Sequence, residues 1–331
     1  MRLALIVNPD AGTSPIAKTH LSDQEFKTTL LETLRELDIE ADVYSTTPDD
    51  PGEAIARQLA SEKTRFIVVV GGDGTIHSVV HGMLGSASIL GIIPAGTMNN
   101  LAYSLGIPTD LRDACALLRD GEIAAIDAGK INDHLFLEVA GVGLEAALYP
   151  SAEKIKSSGL SSIKAFFEGL SILRNFRSPL MQVTFDSEKP RTYRALEITI
   201  CNSPYYGVHF NLKPDIFLND GWLDVAIYKN FSKSEFFRHA FAITQGRRTL
   251  TPKIIFRRVK TLRIRSSKVV KVEADGEVIG STPAEITILP GALNVLVPQK
   301  PGPGWLLAPE ETVQPTHNDI QGARNEGKQY V

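Results

Sequence analysis

The sequence contains little that would place the protein in an oxidising compartment or within a membrane. Its two cysteines, Cys115 and Cys201, lie far apart, which argues against a disulfide framework or a cysteine metal cluster and indicates a reducing compartment. No apolar run is long enough to cross a bilayer, and the short apolar run near the start suits a buried strand better than a signal peptide. We therefore expect a cytoplasmic protein whose membrane contact is at most peripheral, at the inner membrane face.

Several common binding signatures are also missing. A net charge of -3 excludes a globally basic nucleic-acid-binding protein, so no nucleic-acid partner is expected. The chain has no G-x-G-x-x-G dinucleotide fingerprint, and no Gly-Lys-Ser/Thr follows a glycine-rich turn. These absences disfavour a Rossmann-type cofactor site and a Walker A loop.

Strand-like and helix-like segments alternate along the first part of the chain. Near-continuous apolar runs such as Phe66–Val70 are typical of strands buried on both faces. Such strands, separated by helical segments, predict a doubly wound parallel sheet with helices on both faces. The predicted strands are Leu3–Val7, Ala41–Tyr44, Phe66–Val70 and Ile89–Ile93, and the predicted helices are Asp23–Leu37, Glu53–Ala60 and Ile76–Leu84.

The pattern changes at about Ile123. Segments such as "LMQVTFD" and "YRALEITIC" predict an antiparallel β-sandwich, interrupted by one helix from Ala152 to about Asn175. The chain length of 331 residues accommodates two domains, which we place at 1–124 and 125–290. The Pro-, Gly- and polar-rich residues 308–331 predict a disordered tail.

Three glycine-rich turns each follow a predicted strand: "NPDAG" (Asn8–Gly12), "GGDGT" (Gly71–Thr75) and "PAGTMNN" (Pro94–Asn100). Glycines let the backbone approach a phosphate, and a helix that starts directly afterwards offers free N–H groups. Any one turn is equally well explained as a tight connection, but three on successive strands favour a phosphate site. The carboxylate of Asp73 suits such a site if it holds Mg²⁺ or orients a hydroxyl beside the phosphate.

The order "NP…GGDGT…GTxNxxA…DGxLD…DGE" resembles the diacylglycerol-kinase catalytic-domain family, in particular its bacterial soluble lipid kinases, which are related to sphingosine and ceramide kinases. The likeness runs from about Arg2 to Pro298. It implies an α/β nucleotide domain like that of NAD kinases, to which the chain returns around 290–307, a β-sandwich, and an active site in the cleft between them. It also implies ATP-dependent phosphorylation, with Mg²⁺, of a hydroxyl on a lipid such as diacylglycerol.

The same resemblance assigns candidate site residues. Asp275 and Glu277 match the catalytic acidic pair, one of which takes the proton from the lipid hydroxyl, and Asp73 joins them. Asp220 matches a Mg²⁺ ligand that acts with the backbone carbonyls of Phe217 and Trp222. The residues that match ATP contacts are Asn8, Thr47 (with Thr46 as a competitor), Gly71, Gly72, Asp73, Gly74, Thr75 and Thr97.

Local explanations compete with two of these assignments. The Asp275–Gly276 pair fits a type I′ hairpin turn, and Asn219-Asp220-Gly221 is a strong turn signal before a strand. The turn explanation and the catalytic role are equally weighted for Asp275–Gly276, whereas the second stretch would not indicate a metal without the resemblance.

The chain departs from the family pattern at three places. His77-Ser78 stand where Asn-Glu is usual, Asn100 replaces an aspartate, and Ala11 replaces a serine. His77 is either a new proton carrier or a residue that caps or packs on the first helical turn.

Two alternatives stay open. The first is an NAD kinase, which shares "GGDGT", but its Asn-Glu motif is not evident here, whereas "DGE" and "DGWLD" are present. The second is a nucleotide-binding regulator without catalysis, which the departures support and the retention of Asp73, Asp275 and Glu277 argues against.

Two segments bear on the membrane. Ten Lys or Arg and no acidic residue lie between Arg247 and Lys271, which is either a solvated strand face or a surface attracted to anionic lipid headgroups. The segment Ala152–Arg177 mixes apolar and basic residues at helical spacing and is either a packed helix or one that leans on the bilayer. The oligomeric state is open between monomer and homodimer.

Overall fold

A computed structural model describes residues 1–11, 23–156, 160–207, 210–213, 215–245, 252–300 and 302–306. The predicted tail at 308–331, Gly12 and the start of the basic segment at 247–251 lie outside these residues, as do the side chains at 152–163.

The first domain is a parallel sheet with strand order β2-β1-β3-β4. Its central strands are buried on both faces: Ile6 and Val69 pack with one set of helices, and Leu5 and Val68 pack with the other. The doubly wound sheet is thereby confirmed. Its elements are β1 (Arg2–Val7), α1 (Asp23–Glu36), β2 (Glu40–Ser45), α2 (Glu53–Ser61), β3 (Phe66–Gly71), α3 (Asp73–Met83), β4 (Ile89–Pro94), α4 (Asn100–Leu105) and α5 (Leu111–Asp120).

The second domain is a β-sandwich, which is also as predicted. Large apolar side chains such as Phe136, Phe185 and Ile198 fill the space between its layers. Its elements are β5 (Glu122–Ile131), β6 (His134–Phe136), β7 (Val139–Gly143), α6 (Leu144–Lys156), α7 (Leu160–Asn175), β8 (Leu180–Phe185), β9 (Arg191–Cys201), β10 (Tyr205–Tyr206), β11 (Phe210–Asn211), β12 (Leu223–Lys229), α8 (Lys233–Thr244), β13 (Ile254–Val259), β14 (Thr261–Ser266), β15 (Lys271–Ala274), β16 (Glu277–Ser281) and β17 (Ala284–Val297).

The long strand β17 links the two domains. Its first half pairs with β14 and β5 in the sandwich, and at Asn294 and Val295 it pairs in parallel with β4 of the first sheet. Continuous backbone hydrogen bonding therefore runs from one domain to the other, which limits how far they can move apart.

The helices of the second domain differ from the prediction. The single helix expected from Ala152 to Asn175 was wrong: helix begins earlier, at Leu144, and α6 and α7 are separate elements. Helix α8 was not predicted, although Ser232 and Glu235 form a capping box at its start, which is a recognisable sequence signal. None of the helices in the described ranges combines the length and apolar character needed to cross a bilayer.

Candidate active site

The glycine-rich turns meet at the carboxyl ends of β1, β3 and β4. The side-chain amide of Asn8 donates to the hydroxyl of Thr75 at 3.0 Å, which ties the first turn to the start of α3. Gly72 and Gly96 are in backbone contact, and a Cβ at Gly96 would lie 2.3 Å from the Cα of Gly72. Only glycine fits both positions, so this approach holds the turn after β3 against the turn after β4.

Asp73 has a structural task within this cluster. Its carboxylate accepts the backbone N–H groups of Asn99 at 2.9 Å and Asn100 at 2.8 Å, at the start of α4. Asn99 itself is in the left-handed region, with φ 52. The aspartate therefore fixes the turn that carries Thr97, while it also lines the cavity described below.

The remaining predicted ATP contacts lie around the same edge of the sheet. Gly71 accepts a backbone hydrogen bond from Ala95, which follows β4, at 2.9 Å, and Gly74 and Thr97 are exposed. Of the two competing threonines after β2, Thr46 is buried, whereas Thr47 is exposed and its hydroxyl accepts the N–H of Asp50 at 3.1 Å. Only Thr47 is open to a ligand.

A cavity of about 960 Å³ lies between the two domains. Asp73, Gly74 and His77 line it from the α/β side, and Asp275 and Glu277 line it from the sandwich side. The structure therefore brings together the phosphate turn and the acidic pair, which are about two hundred residues apart in the chain.

The hairpin between β15 and β16 presents Asp275 to the cavity. Asp275 and Gly276 have φ 44 and φ 88, the two positive values that a type I′ turn requires. The carboxylate of Asp275 accepts three backbone N–H groups, from Leu137 at 2.6 Å and from Glu138 and Val139 at 2.9 Å each. The turn signal and the proposed site are thus one feature. Glu277, by contrast, is exposed at the cavity.

Sequence reasoning missed Glu138, which faces His77 across the domain boundary. The Nε2 atom of His77 lies 3.4 Å from Oε1 of Glu138 and 3.7 Å from Oδ2 of Asp275. Burial raises the pKa of Glu138 to about 7, although the nearby imidazole opposes this. A signal existed: Glu138 is an acidic residue within the otherwise apolar "LFLEVAGV".

A second acidic cluster lies behind this one. Glu197 and Glu273 are buried in the sandwich, and Glu197 accepts the backbone N–H of Glu145 at 2.8 Å. Burial raises the pKa of Glu145 to about 7 and the pKa values of Glu197 and Glu273 well above their usual range.

This cluster predicts that the protein loses stability as the pH rises from 5 to 8. The folded state holds protons on these carboxyls that the unfolded chain releases above about pH 4.3, so their contribution is present at low pH and is lost as the pH passes their raised pKa values. We expect Glu197→Gln to flatten this fall in Tm, measured by thermal unfolding. Glu285→Gln, which changes an exposed carboxylate, serves as the control. A wild-type Tm that rises over this interval contradicts the prediction.

The predicted magnesium ligands do not line the cavity. Asp220 accepts the N–H of Trp222 at 2.9 Å and is ion-paired with the guanidinium of Arg258, which also lies over the Trp222 ring. With the guanidinium there, the donor set of Asp220, Phe217 and Trp222 does not fit a hydrated divalent cation. The magnesium site at Asp220 stays a prediction, and no chemical step is routed through it.

Replacing Arg258 tests whether its guanidinium occupies the position that a metal ion would take beside Asp220. We expect Mg²⁺ to change the wild-type Tm by less than about 1 °C and to raise that of Arg258→Gln by about 3 °C or more at saturation. The measurement is thermal unfolding in Mg²⁺ and in chelator, with the exposed neighbour Arg257→Gln as the control. Equal stabilisation of wild type and Arg258→Gln by Mg²⁺ overturns the expectation and supports a metal at Asp220.

Part of the cavity wall is apolar. Its lining includes Leu148, Tyr149, Phe236, Ile243 and Ile279, contributed by α6, α8 and β16. Phe237 also lines it and is 44 % exposed, so the apolar wall continues onto the surface of α8. The cavity therefore combines the glycine-rich turn after β3, carboxylates and an apolar wall.

Three of the eight basic residues in the described part of the predicted basic surface are ion-paired. Lys253 contacts Glu235 at 2.5 Å, Arg263 contacts Glu285 at 2.8 Å, and Arg258 contacts Asp220. The segment therefore stays a prediction with both interpretations, a solvated strand face or a surface attracted to anionic headgroups.

Glycine-rich turns on one wall of an interdomain cavity and fixed carboxylates on the other are the arrangement expected of a two-domain phosphotransferase. Residues 2–131 match the family model of the diacylglycerol kinase catalytic domain, and residues 138–297 match the YegS C-terminal NAD kinase beta sandwich-like domain.

Comparison with characterised sequences and structures agrees. A diacylglycerol kinase of Bacillus subtilis (strain 168) is 30% identical over 304 residues, covering 90% of this chain and 97% of that protein. A diacylglycerol kinase of Staphylococcus aureus is 26% identical over 300 residues, covering 90% and 92%. A crystal structure of a diacylglycerol kinase from Bacillus anthracis str. Sterne superposes with a TM-score of 0.67 at 21% identity, covering 90% of this chain and 97% of that one, which supports the fold.

The chain belongs to the diacylglycerol kinase family, and it is a lipid kinase, an enzyme that transfers a phosphoryl group to an alcohol.

Proposed function

We propose that this enzyme transfers the γ-phosphate of ATP to the hydroxyl of diacylglycerol or a related lipid alcohol. The observation that carries the proposal is the single cavity that joins the phosphate turns, the acidic residues and an apolar wall. An apolar wall suits acyl chains and has no use in an NAD kinase, whose acceptor is a polar dinucleotide. Retention of the fixed carboxylate at Asp275 supports catalysis over a purely regulatory role.

The nucleotide lies, in this proposal, with its phosphates at the turn Gly71–Thr75. The free N–H groups at the start of α3 and the positive end of its dipole face that position. Asn8 fixes the hydroxyl of Thr75, and Asp73 fixes the neighbouring turn, so the site is formed before ATP arrives. Mg²⁺ enters as the ATP complex, and it neutralises charge on the phosphates when bound.

The acceptor lies between the apolar wall and Asp275. Transfer requires the lipid oxygen in line with the γ-phosphorus and a group that takes its proton. Asp275 is held in place by backbone donors and supplies the base. Glu277, exposed at the same edge, is positioned to contact the acceptor or the nucleotide–Mg²⁺ complex.

The membrane-facing surface is formed, in this proposal, by α7 and α8. Phe166 and Phe167 on α7 and Phe241 on α8 are all more than half exposed, and the Phe237 ring joins them to the cavity. The two helices touch where Lys233 of α8 donates to the carbonyl of Arg174 at 2.9 Å. Exposed aromatic rings beside basic side chains suit peripheral binding to an anionic bilayer, at the inner membrane face of a cytoplasmic enzyme.

Replacing the two exposed α8 aromatics tests this surface. We expect Phe237→Ser/Phe241→Ser to lower binding to anionic vesicles at least about five-fold, because each ring contributes about 1.5–3 kcal/mol of apolar burial at full insertion. Vesicle co-sedimentation measures the change. Val269→Ser, which alters a side chain 81% exposed in the loop between β14 and β15, is the control. Equal vesicle binding by the double variant and by the control removes α8 from the membrane contact.

A substrate panel tests the function itself. Purified enzyme with Mg²⁺ and ATP is incubated in mixed micelles with diacylglycerol, with sphingosine, and separately with NAD, and ADP release is followed. The proposal expects turnover with diacylglycerol or another lipid alcohol. Turnover with NAD alone supports an NAD kinase, and ATP binding without any turnover supports a regulator.

A further inference from the structure

His77 and Glu138 form a buried pair for which the proposed chemistry has no task so far. His77 lies on α3 one turn after Asp73, and Glu138 directly precedes β7. Their facing atoms, Nε2 and Oε1, are inaccessible to solvent, and among the described residues they have no hydrogen-bond partner apart from their contact with each other. The second oxygen of Glu138 accepts the amide of Asn100 at 3.1 Å, which fixes the carboxylate.

The hydrogen bonds of Asp275 point to this pair. A carboxylate has about four acceptor positions, two on each oxygen. Oδ1 accepts two backbone N–H groups, from Glu138 and Val139, and Oδ2 accepts one, from Leu137. Counting the donors in the described part of the chain, one position remains on Oδ2, the oxygen that lies 3.7 Å from Nε2 of His77.

We propose that His77 and Glu138 form a proton-holding pair behind Asp275. The inference rests on the proposed kinase function and deepens it: Asp275 contacts the acceptor, and the other two are positioning residues. His77, at which the chain departs from the family pattern, thereby has a task in the reaction. Glu138, on the other domain, is the partner that receives its proton.

Proton transfer from the acceptor accompanies phosphoryl transfer. The O–H bond of the acceptor breaks and its proton moves to Oδ2 of Asp275, while the acceptor oxygen bonds to the γ-phosphorus. The bond from that phosphorus to the bridging oxygen breaks, and ADP leaves with the electron pair. The proton on Nε2 of His77 then passes to Oε1 of Glu138, and Nε2 takes the proton from Asp275. Solvent receives the extra proton after product release.

The electrostatics of the cluster suit this task. Burial lowers the pKa of His77, but Asp275, Glu138 and Asp73 outweigh it and raise that pKa to about 9. The pKa of Glu138 is raised to about 7, so above that pH the pair has room for one more proton.

Tyr149, which also packs against the cluster, does not compete for the proton. Tyr149 of α6 has its pKa raised by burial and by the acidic residues around it, Glu273, Glu145, Glu138 and Asp275, and it remains neutral.

Rate measurements between pH 5.5 and 9 test the pair. For wild type we expect kcat to fall below about pH 7, as Glu138 takes up a proton. For Glu138→Gln and His77→Asn, we expect kcat to be about 10- to 100-fold lower and the ATP KM to stay within about three-fold of wild type. We also expect the acid limb of the pH–rate profile, which is the fall of kcat below about pH 7, to shift to a different pH. The double variant is expected to be no slower than the slower single variant, because the two act as a unit.

A matched control separates this task from simple packing. His81→Asn, one turn further along α3, is expected to keep the acid limb of the wild type. If the substitutions only damage packing, each lowers kcat without shifting the acid limb of the pH–rate profile. The two losses of kcat then multiply in the double variant. The proton-holding pair is overturned if the acid limb stays at the wild-type pH in both single variants. It is also overturned if the losses of kcat multiply in the double variant.

A second readout does not depend on activity. Side-chain NMR of the full-length protein is expected to show His77 titrating near pH 9 in wild type and at least about one pH unit lower in Glu138→Gln. Titration of wild-type His77 near its ordinary value overturns the pair even if the kinase is active. The remaining outcome is a protein that shows the expected His77 titration and its shift in Glu138→Gln but phosphorylates no lipid. That result overturns the proposed function and the proton step, and it leaves the ion pair between His77 and Glu138 intact.

Discussion

Asp275→Asn is expected to lower kcat for lipid phosphorylation at least about 1,000-fold, while ATP affinity stays within about three-fold. The substitution removes the carboxylate that takes the acceptor proton. It leaves the turns that hold the phosphates intact, because these lie on the other domain. Transfer of labelled phosphate measures kcat, and calorimetric titration measures ATP binding.

The carboxylate also holds the backbone at Leu137–Val139, so the Tm of the variant must be measured in parallel. Glu277→Gln is the matched comparison, since it changes the exposed member of the acidic pair. We expect a smaller loss for Glu277→Gln than for Asp275→Asn. Full activity in a folded Asp275→Asn enzyme removes Asp275 from the mechanism.

Gly96→Ala is expected to disrupt the phosphate site by overpacking. The added Cβ would lie 2.3 Å from the Cα of Gly72 and 2.8 Å from Oδ1 of Asn99, and the first of these is backbone that cannot turn away. We expect a loss of about 1–3 kcal/mol in stability, a Tm lower by several degrees, and ATP binding weakened at least about ten-fold as the two turns separate.

Gly74→Ala provides the stability control for this prediction. Gly74 lies in the same cluster of turns, but a Cβ there meets nothing within 4 Å, so the Tm is expected to stay at the wild-type value or rise slightly. The contact between the turns after β3 and β4 is unimportant if Gly96→Ala retains both the Tm and the ATP affinity of wild type.

The sheet of the first domain was predictable because its signals are local. Runs such as Phe66–Val70 are buried on both faces, and the glycine-rich turns follow the strands directly. Since parallel strands end at one edge, the meeting of those turns followed from the strand order. The hairpin at Asp275 was likewise signalled by its own two turn residues.

The rest of the candidate site depends on contacts that sequence spacing does not reveal. Asp73 caps α4 because the turns after β3 and β4 touch, and Glu138 meets His77 only because β17 joins the two domains. Arg258 reaches Asp220 through the pairing of β12 with β13. The resemblance supplied the acidic pair, but it could not supply groups that are particular to this chain.

The measurement that tests the central claim most directly is a competition. Wild-type enzyme receives γ-labelled ATP with Mg²⁺ and equal concentrations of diacylglycerol, in anionic vesicles, and NAD, and the labelled products are separated and identified by mass. We predict label on the free hydroxyl of diacylglycerol, none on NAD, and no transfer by Asp275→Asn. Label on NAD, or transfer to lipid that persists in Asp275→Asn, contradicts the account.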